Sequence, residues 1–151
     1  MIEFILEYNN NPENRLLTYI SDEHSFNMEP IVNNVDIELI LNKLSLSVVN
    51  NKIIQLWGFC GLSSSMKSNF NVPKYKKGIL KVKHNLKHGF AYDITNKNLP
   101  IHVNTQTGWV CIGTEQGNGD AVEFINNCVA VVNKKGRLIA LWLKPKSLPE
   151  V

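Results

Sequence analysis

Residues 120–145 read DAVEFINNCVAVVNKKGRLIALWLKP, and their reading decides the fold. Cys128 to Val132 is a short apolar run dominated by valine, and Leu138 to Leu143 is a second. Between them lie Asn133, Lys134, Lys135 and Gly136, a polar turn ending in glycine. Two apolar runs joined by a short glycine-containing turn predict a β-hairpin. Gly136 suits the left-handed position of such a turn, where a Cβ is costly. Leu138, Ala140 and Trp142 alternate with Ile139, Leu141 and Leu143, so both faces of the second strand are apolar. A strand of that kind is covered on both sides and lies inside its sheet. Pro145 ends it, because proline donates no ladder hydrogen bond.

The surrounding chain fits one domain, residues 1–151, long enough to bury a proper core. Its 44% apolar and 19% charged residues are ordinary for a soluble globule. Apolar runs fall well short of the ~18 residues a spanning helix needs. MIEFILEYNNN at the start has no basic region and carries Glu3 and Glu7 among its apolar residues, so it does not read as a signal peptide. The expectation is a cytoplasmic protein. Cys60, Cys111 and Cys128 are widely spaced, with no CxxC and no histidines completing a zinc pattern. They read as buried free thiols, and no metal or cofactor motif is found. The scattered asparagines read as base composition of the coding sequence.

The net charge of +3 hides an asymmetry. Residues 1–60 hold eight acids and three bases, a net of −5. Residues 61–100 hold eight lysines and one acid, a net of +7, and the last third is nearly neutral at +1. Such a split either steers a charged partner or holds two lobes together.

Along the chain, Ile2–Tyr8 predicts a strand that pins the N-terminus, and Arg15–Ile20 a second strand or a short helix. Ser21–Asn34 reads as a long polar loop. Val35–Leu41 fits a helix capped by Asn34 and a strand equally well. An internal comparison favours the strand. Ile37, Val48 and Leu56 have counterparts in Val122, Val131 and Leu141, spaced 85, 83 and 85 residues apart. Segments 36–57 and 120–142 would then be two copies of a three-stranded meander, with Asn50-Asn51 as a tight turn in the first. Gly61–Pro73 reads as a boundary or a binding loop. Gly78–His84 and Gly89–Ile94 read as strands about a turn at 85–88, and Leu99–Asn104 and Gly108–Gly113 as a further pair. The predicted fold is mainly β: an antiparallel sandwich of two meanders, with the tryptophans in or beside the core and one or two short helices before Asn50, so that α+β is its variant.

Four groups of residues bear on function. His84, His88 and His102, with Lys83 and Lys87, offer imidazoles and lysines for ribonuclease-like acid and base work, but no spacing forces them to converge. Gly113–Gly119 is glycine-rich, yet no lysine or helix follows, as a phosphate loop requires. Lys74, Tyr75, Lys76 and Lys77, continued by Lys81, Lys83 and Lys87, form a basic segment able to track a nucleic-acid backbone, although it lacks several aromatics for stacking. Asp22, Glu23 and Glu29, followed by Asp36 and Glu38, form an acidic counterpart suited to covering a basic cleft.

Gly108–Gly113 (GWVCIG), Val122-Glu123-Phe124 and Gly136–Pro145 (GRLIALWLKP) together resemble the closing segment of small bacterial immunity proteins. Those accompany polymorphic toxins, including contact-dependent growth inhibition systems. The resemblance covers about a third of the chain and rests on hairpin residues, so it transfers no functional residue. It implies a non-catalytic cytoplasmic protein that binds one cognate toxin domain, a nuclease among the candidates, and blocks it. The positive net charge departs from the usual inhibitor of a cationic nuclease and leaves the acidic first 60 residues as the suitable face. The reading from another class is a small RNA-binding or ribonuclease-like protein using Lys74–Lys87.

Overall fold

Asparagine at tight turns, with alternating side chains between them, builds most of this structure. Asn42, Asn50, Asn51 and Asn127 all hold left-handed backbone conformations at hairpin turns. Asparagine tolerates that region better than other side-chain-bearing residues. These asparagines are therefore turn chemistry, which composition alone does not reveal.

The computed structural model describes residues 1–148. Its strands are, in chain order, β1 (Phe4–Tyr8), β2 (Leu16–Ile20), β3 (Ser25–Glu29), β4 (Ile37–Leu41) and β5 (Leu44–Val49). There follow β6 (Lys52–Phe59), β7 (Met66–Lys67), β8 (Lys76–Val82), β9 (Phe90–Asp93) and β10 (Ile101–Asn104). The chain closes with β11 (Trp109–Gly113), β12 (Asp120–Ile125), β13 (Cys128–Val132) and β14 (Leu138–Leu143). The fold is mainly β, and both predicted meanders, β4–β5–β6 and β12–β13–β14, are formed.

Several expectations need correction. The meanders do not form two antiparallel sheets packed as a sandwich. They lie in one mixed, curled sheet ordered β7-β10-β11-β14-β13-β12-β8-β6-β5-β4-β9, a half-barrel around the core. Three pairings are parallel: β7 with β10, β8 with β12, and β4 with β9. The strand at 90–93 thus pairs with β4, not with β8 across a hairpin. Among the described residues the only helix is a single 3-10 turn, Ser21–Glu23, so the expected short helices are absent. The ambiguous segment at 35–44 is strand β4 and the Asn42-Lys43 turn. The polar loop at 21–34 contains β3, whose Phe26 and Met28 point inward between polar neighbours.

β8 makes the sheet continuous. Lys76 and Lys77 pair with Val122 and Glu123, Lys81 pairs with Lys52 of β6, and β1 runs antiparallel along residues 78–82. Gly78 sits where these strands meet, and a Cβ there would overlap the Glu7 carbonyl oxygen. Bulges in β5/β6, β12/β13 and β13/β14 add local bend and twist, which favours a curl over a flat sandwich.

The inner face holds the main core, including Ile37, Leu39, Leu46, Leu56, Leu80, Val122, Phe124, Leu141 and Leu143. Each such side chain contributes about 1.5–3 kcal/mol on burial. A second cluster lies on the outer face of the β11–β14 half: Trp109, Cys111, Ala121, Val129, Val131, Ala140 and Trp142. β14 is therefore buried on both faces, as its sequence predicts. The cover comes from the 61–73 segment: Val72 packs on the cluster, Ser68 N–H donates to the Val103 carbonyl at 2.8 Å, and Asn104 Nδ2 donates to the Phe70 carbonyl at 3.0 Å. The same segment puts Leu62 into the main core.

Candidate partner-binding face

The outer face of the first meander has no comparable apolar cover. Leu44, Leu46 and Val48 of β5 point to the core, so Ser45 and Ser47 point outward. Across the ladder Ser45 faces Trp57, while Ser47 faces both Glu38 and Gln55. Ser47 Oγ donates to the Glu38 carboxylate at 2.7 Å, and Gln55 Nε2 donates to Ser47 Oγ at 3.1 Å. Gln55 also grips the backbone of Val32, donating to its carbonyl at 2.9 Å and accepting its N–H at 2.7 Å. Ser47 and Gln55 are buried by this arrangement, with every polar group satisfied. Burial pushes the Glu38 carboxyl above the ordinary range, and the neighbouring Ser47 and Trp57 side chains pull it partly back.

Beside this ladder Trp57 is 41% exposed and Phe59 45% exposed. Ile31 and Val32 add exposed aliphatic surface on the loop that docks on Gln55. Half-exposed aromatics on a rigid sheet are the residue types that anchor protein interfaces.

The structure divides the five predicted acids. Glu29, at the end of β3, and Asp36, just before β4, lie at the same end of the face as Glu38. Asp22 and Glu23 sit in the 3-10 turn at the other end of β3. All but Glu38 are exposed. Among the described residues none of the five has a lysine or arginine within salt-bridge distance, and Asp36 meets only His88, at 3.5 Å. The remaining acids of the first 60 residues are paired. Glu3 meets Lys83 at 3.5 Å, Glu7 meets Lys81 at 2.7 Å, and Glu13 meets Lys52 at 2.8 Å. The acids at the N-terminus thus bind β8 and Lys52, while Asp22, Glu23, Glu29 and Asp36 stay exposed without a lysine or arginine partner among the described residues.

The basic segment is divided in the same way. Lys81 and Lys83 are taken up by β1, and Lys87 lies on an exposed turn whose N–H donates to the Tyr92 hydroxyl. Lys74, Lys76 and Lys77 remain exposed, with Lys76 Nζ 5.5 Å from the Tyr8 ring centroid. Tyr75 is 39% exposed; partial burial and the Glu123 charge raise its hydroxyl pKa. The three histidines take three different partners. His84 Nε2 accepts the Glu3 N–H at 3.0 Å, His88 meets Asp36, and His102 Nδ1 lies 2.9 Å from Glu115, which also binds Ser68 Oγ. No histidine of the three is partnered with another. The three cysteines are buried free thiols; burial pushes Cys60 and Cys111 up to about 12 and Cys128 well above its usual value, which disfavours the thiolate. A strand, not a helix, follows the glycine-rich 113–119 segment. No helix among the described residues is long and apolar enough to cross a membrane.

The sequence reading missed Trp57, Phe59 and the Ser47–Gln55 pair as parts of a face. The signal was present: Leu44 to Leu46 alternates apolar with serine, and Gln55, Trp57 and Phe59 fall on one side of β6.

Comparison with known proteins supplies no family. No family model matches the chain, and no curated protein matches it either.

Proposed function

We propose that this chain is a non-catalytic immunity protein that binds and neutralises a cognate toxin domain through the outer face of its first meander. One observation carries the reading: Trp57 and Phe59 stand exposed on a rigid sheet, beside acids that no lysine or arginine of the described chain engages. Exposed aromatics supply anchoring area, and open carboxylates select and steer a cationic partner. A nuclease domain, which needs cationic groups to hold a phosphate backbone, has that charge. The resemblance of the closing third to immunity proteins supports the same class.

The test is co-expression with the products of the adjacent genes. A toxin domain should co-purify at equal stoichiometry, and the chain should protect cells from it. Trp57→Ala with Phe59→Ala should lose both effects, while alanine at Lys74, Lys76 and Lys77 should keep them. RNA bound with a steep salt dependence, and lost in the triple-lysine variant, would favour the nucleic-acid reading instead.

A further inference from the structure

We propose that the open mouth of the curled sheet, beside Phe59, is a binding site for a small amphipathic carboxylate, an organic acid with an apolar tail. The site does not rest on the partner reading above. A cavity of about 490 Å³ opens there, within the range of small-molecule sites. Its inner wall is apolar, with Leu44 and Ile112 buried and Leu99 and Ile101 half-buried, while Asn42, Ser63, Ser64 and Asn98 supply neutral polar lining. Its only charged or titrating groups besides the Cys60 thiol are Lys43 and His24, and no carboxylate lines it. Glu23, next to His24 in the chain, turns its carboxylate to Ser25 Oγ at 3.4 Å.

The Lys43 ammonium and the His24 imidazole are gathered over one ring. Lys43 Nζ lies 5.1 Å from the Phe59 centroid, and the His24 ring meets the same ring edge-on at 6.2 Å. A head group at the mouth would meet both, while its tail lay along the aliphatic wall. The Cys60 thiol, pushed up to about 12, stays neutral and does not repel an anion.

The rim is built in advance. Asn42 makes two bonds to the Leu99 backbone, donating to its carbonyl at 3.0 Å and accepting its N–H at 2.8 Å. Cys60 N–H donates to the His24 carbonyl at 2.7 Å. His24 itself is held at φ 51, a sparsely populated conformation kept by its surroundings. A mouth fixed on both sides loses little entropy when a ligand enters.

The experiment is calorimetric titration of the full chain at low salt with octanoate, octan-1-ol and acetate. Octanoate should bind, octan-1-ol more weakly, and acetate not measurably. Lys43→Ala with His24→Asn should weaken octanoate about tenfold, through loss of the Lys43 charge contact and the His24 ring N–H, and leave octan-1-ol unchanged. Both positions are exposed, and asparagine suits the left-handed backbone at 24, so the variant retains its fold. Ser64→Trp, which fills the mouth from an exposed position, should abolish binding of both. The proposal fails if octanoate does not bind, binds no tighter than octan-1-ol, or binds the double variant as well as the wild type.

Discussion

Trp57 and Trp142 stand at matching places in two meanders of the same path, yet their surroundings are opposite. Trp57 is 41% exposed, and Trp142 is 1% exposed beneath a second apolar cluster. The inner faces agree: Ile37 and Val122, Leu39 and Phe124, and Leu56 and Leu141 all enter one core. Val48 and Val131 do not, since Val131 faces the outer cluster. The outer faces differ in chemistry. The second carries Ala121, Val129, Val131 and Ala140, with Val72 packed against them. The first carries Glu38, Ser47 and Gln55, bonded to one another, with aromatics left outside. One meander buries its outer face under further apolar side chains, and the other leaves the aromatics of its outer face to solvent.

That contrast can be broken by mutation. Trp142→Ala should cost about 3–5 kcal/mol in urea unfolding, the range for a buried tryptophan. Trp57→Ala should cost about 1 kcal/mol or less, because its side chain is already half in water. Trp142→Phe should cost less than Trp142→Ala. Trp142 Nε1 finds no hydrogen-bond partner among the described residues, and phenylalanine removes that buried donor along with part of the volume. Equal costs for Trp57→Ala and Trp142→Ala would erase the distinction between the faces.

Smaller changes sharpen it. Ser47→Ala leaves Gln55 and Glu38 short of a partner and should cost about 1–3 kcal/mol. Glu38→Gln bears on pH. The folded state holds the Glu38 proton more tightly than the unfolded chain does. Its contribution to stability is therefore full below the ordinary carboxylate range and is lost as pH rises through the raised value. Urea midpoints measured from acid to neutral pH should show Glu38→Gln gaining on the wild type across that window; a constant gap would contradict the burial of Glu38. Lys81→Ala, which removes an exposed ion pair with Glu7, should change stability by about 1 kcal/mol at most, and less at high salt.

Local patterns made much of this legible. The two-faced apolar pattern of Leu138–Leu143 gave away an interior strand, and Gly136 its turn. The Leu-Ser alternation in β5 encodes one polar face. The curl was not legible, because it depends on long-range pairings: β8 joining β12 to β6, and β9 lying parallel to β4. β3 was hidden because its inward side chains number only Phe26 and Met28. At the site, the acids were visible as charges. Which of them stay open depended on β1 docking against β8, and that contact is 74 residues long-range between Glu7 and Lys81.

The most direct test of the proposed role is the affinity of the chain for a toxin domain that co-purifies with it, compared between the wild type and Trp57→Ala. A loss of about 2 kcal/mol or more, about thirtyfold, is expected, with folding intact. Unchanged affinity in Trp57→Ala, together with a loss when Lys74, Lys76 and Lys77 become alanine, would place the interface on the basic side and contradict it.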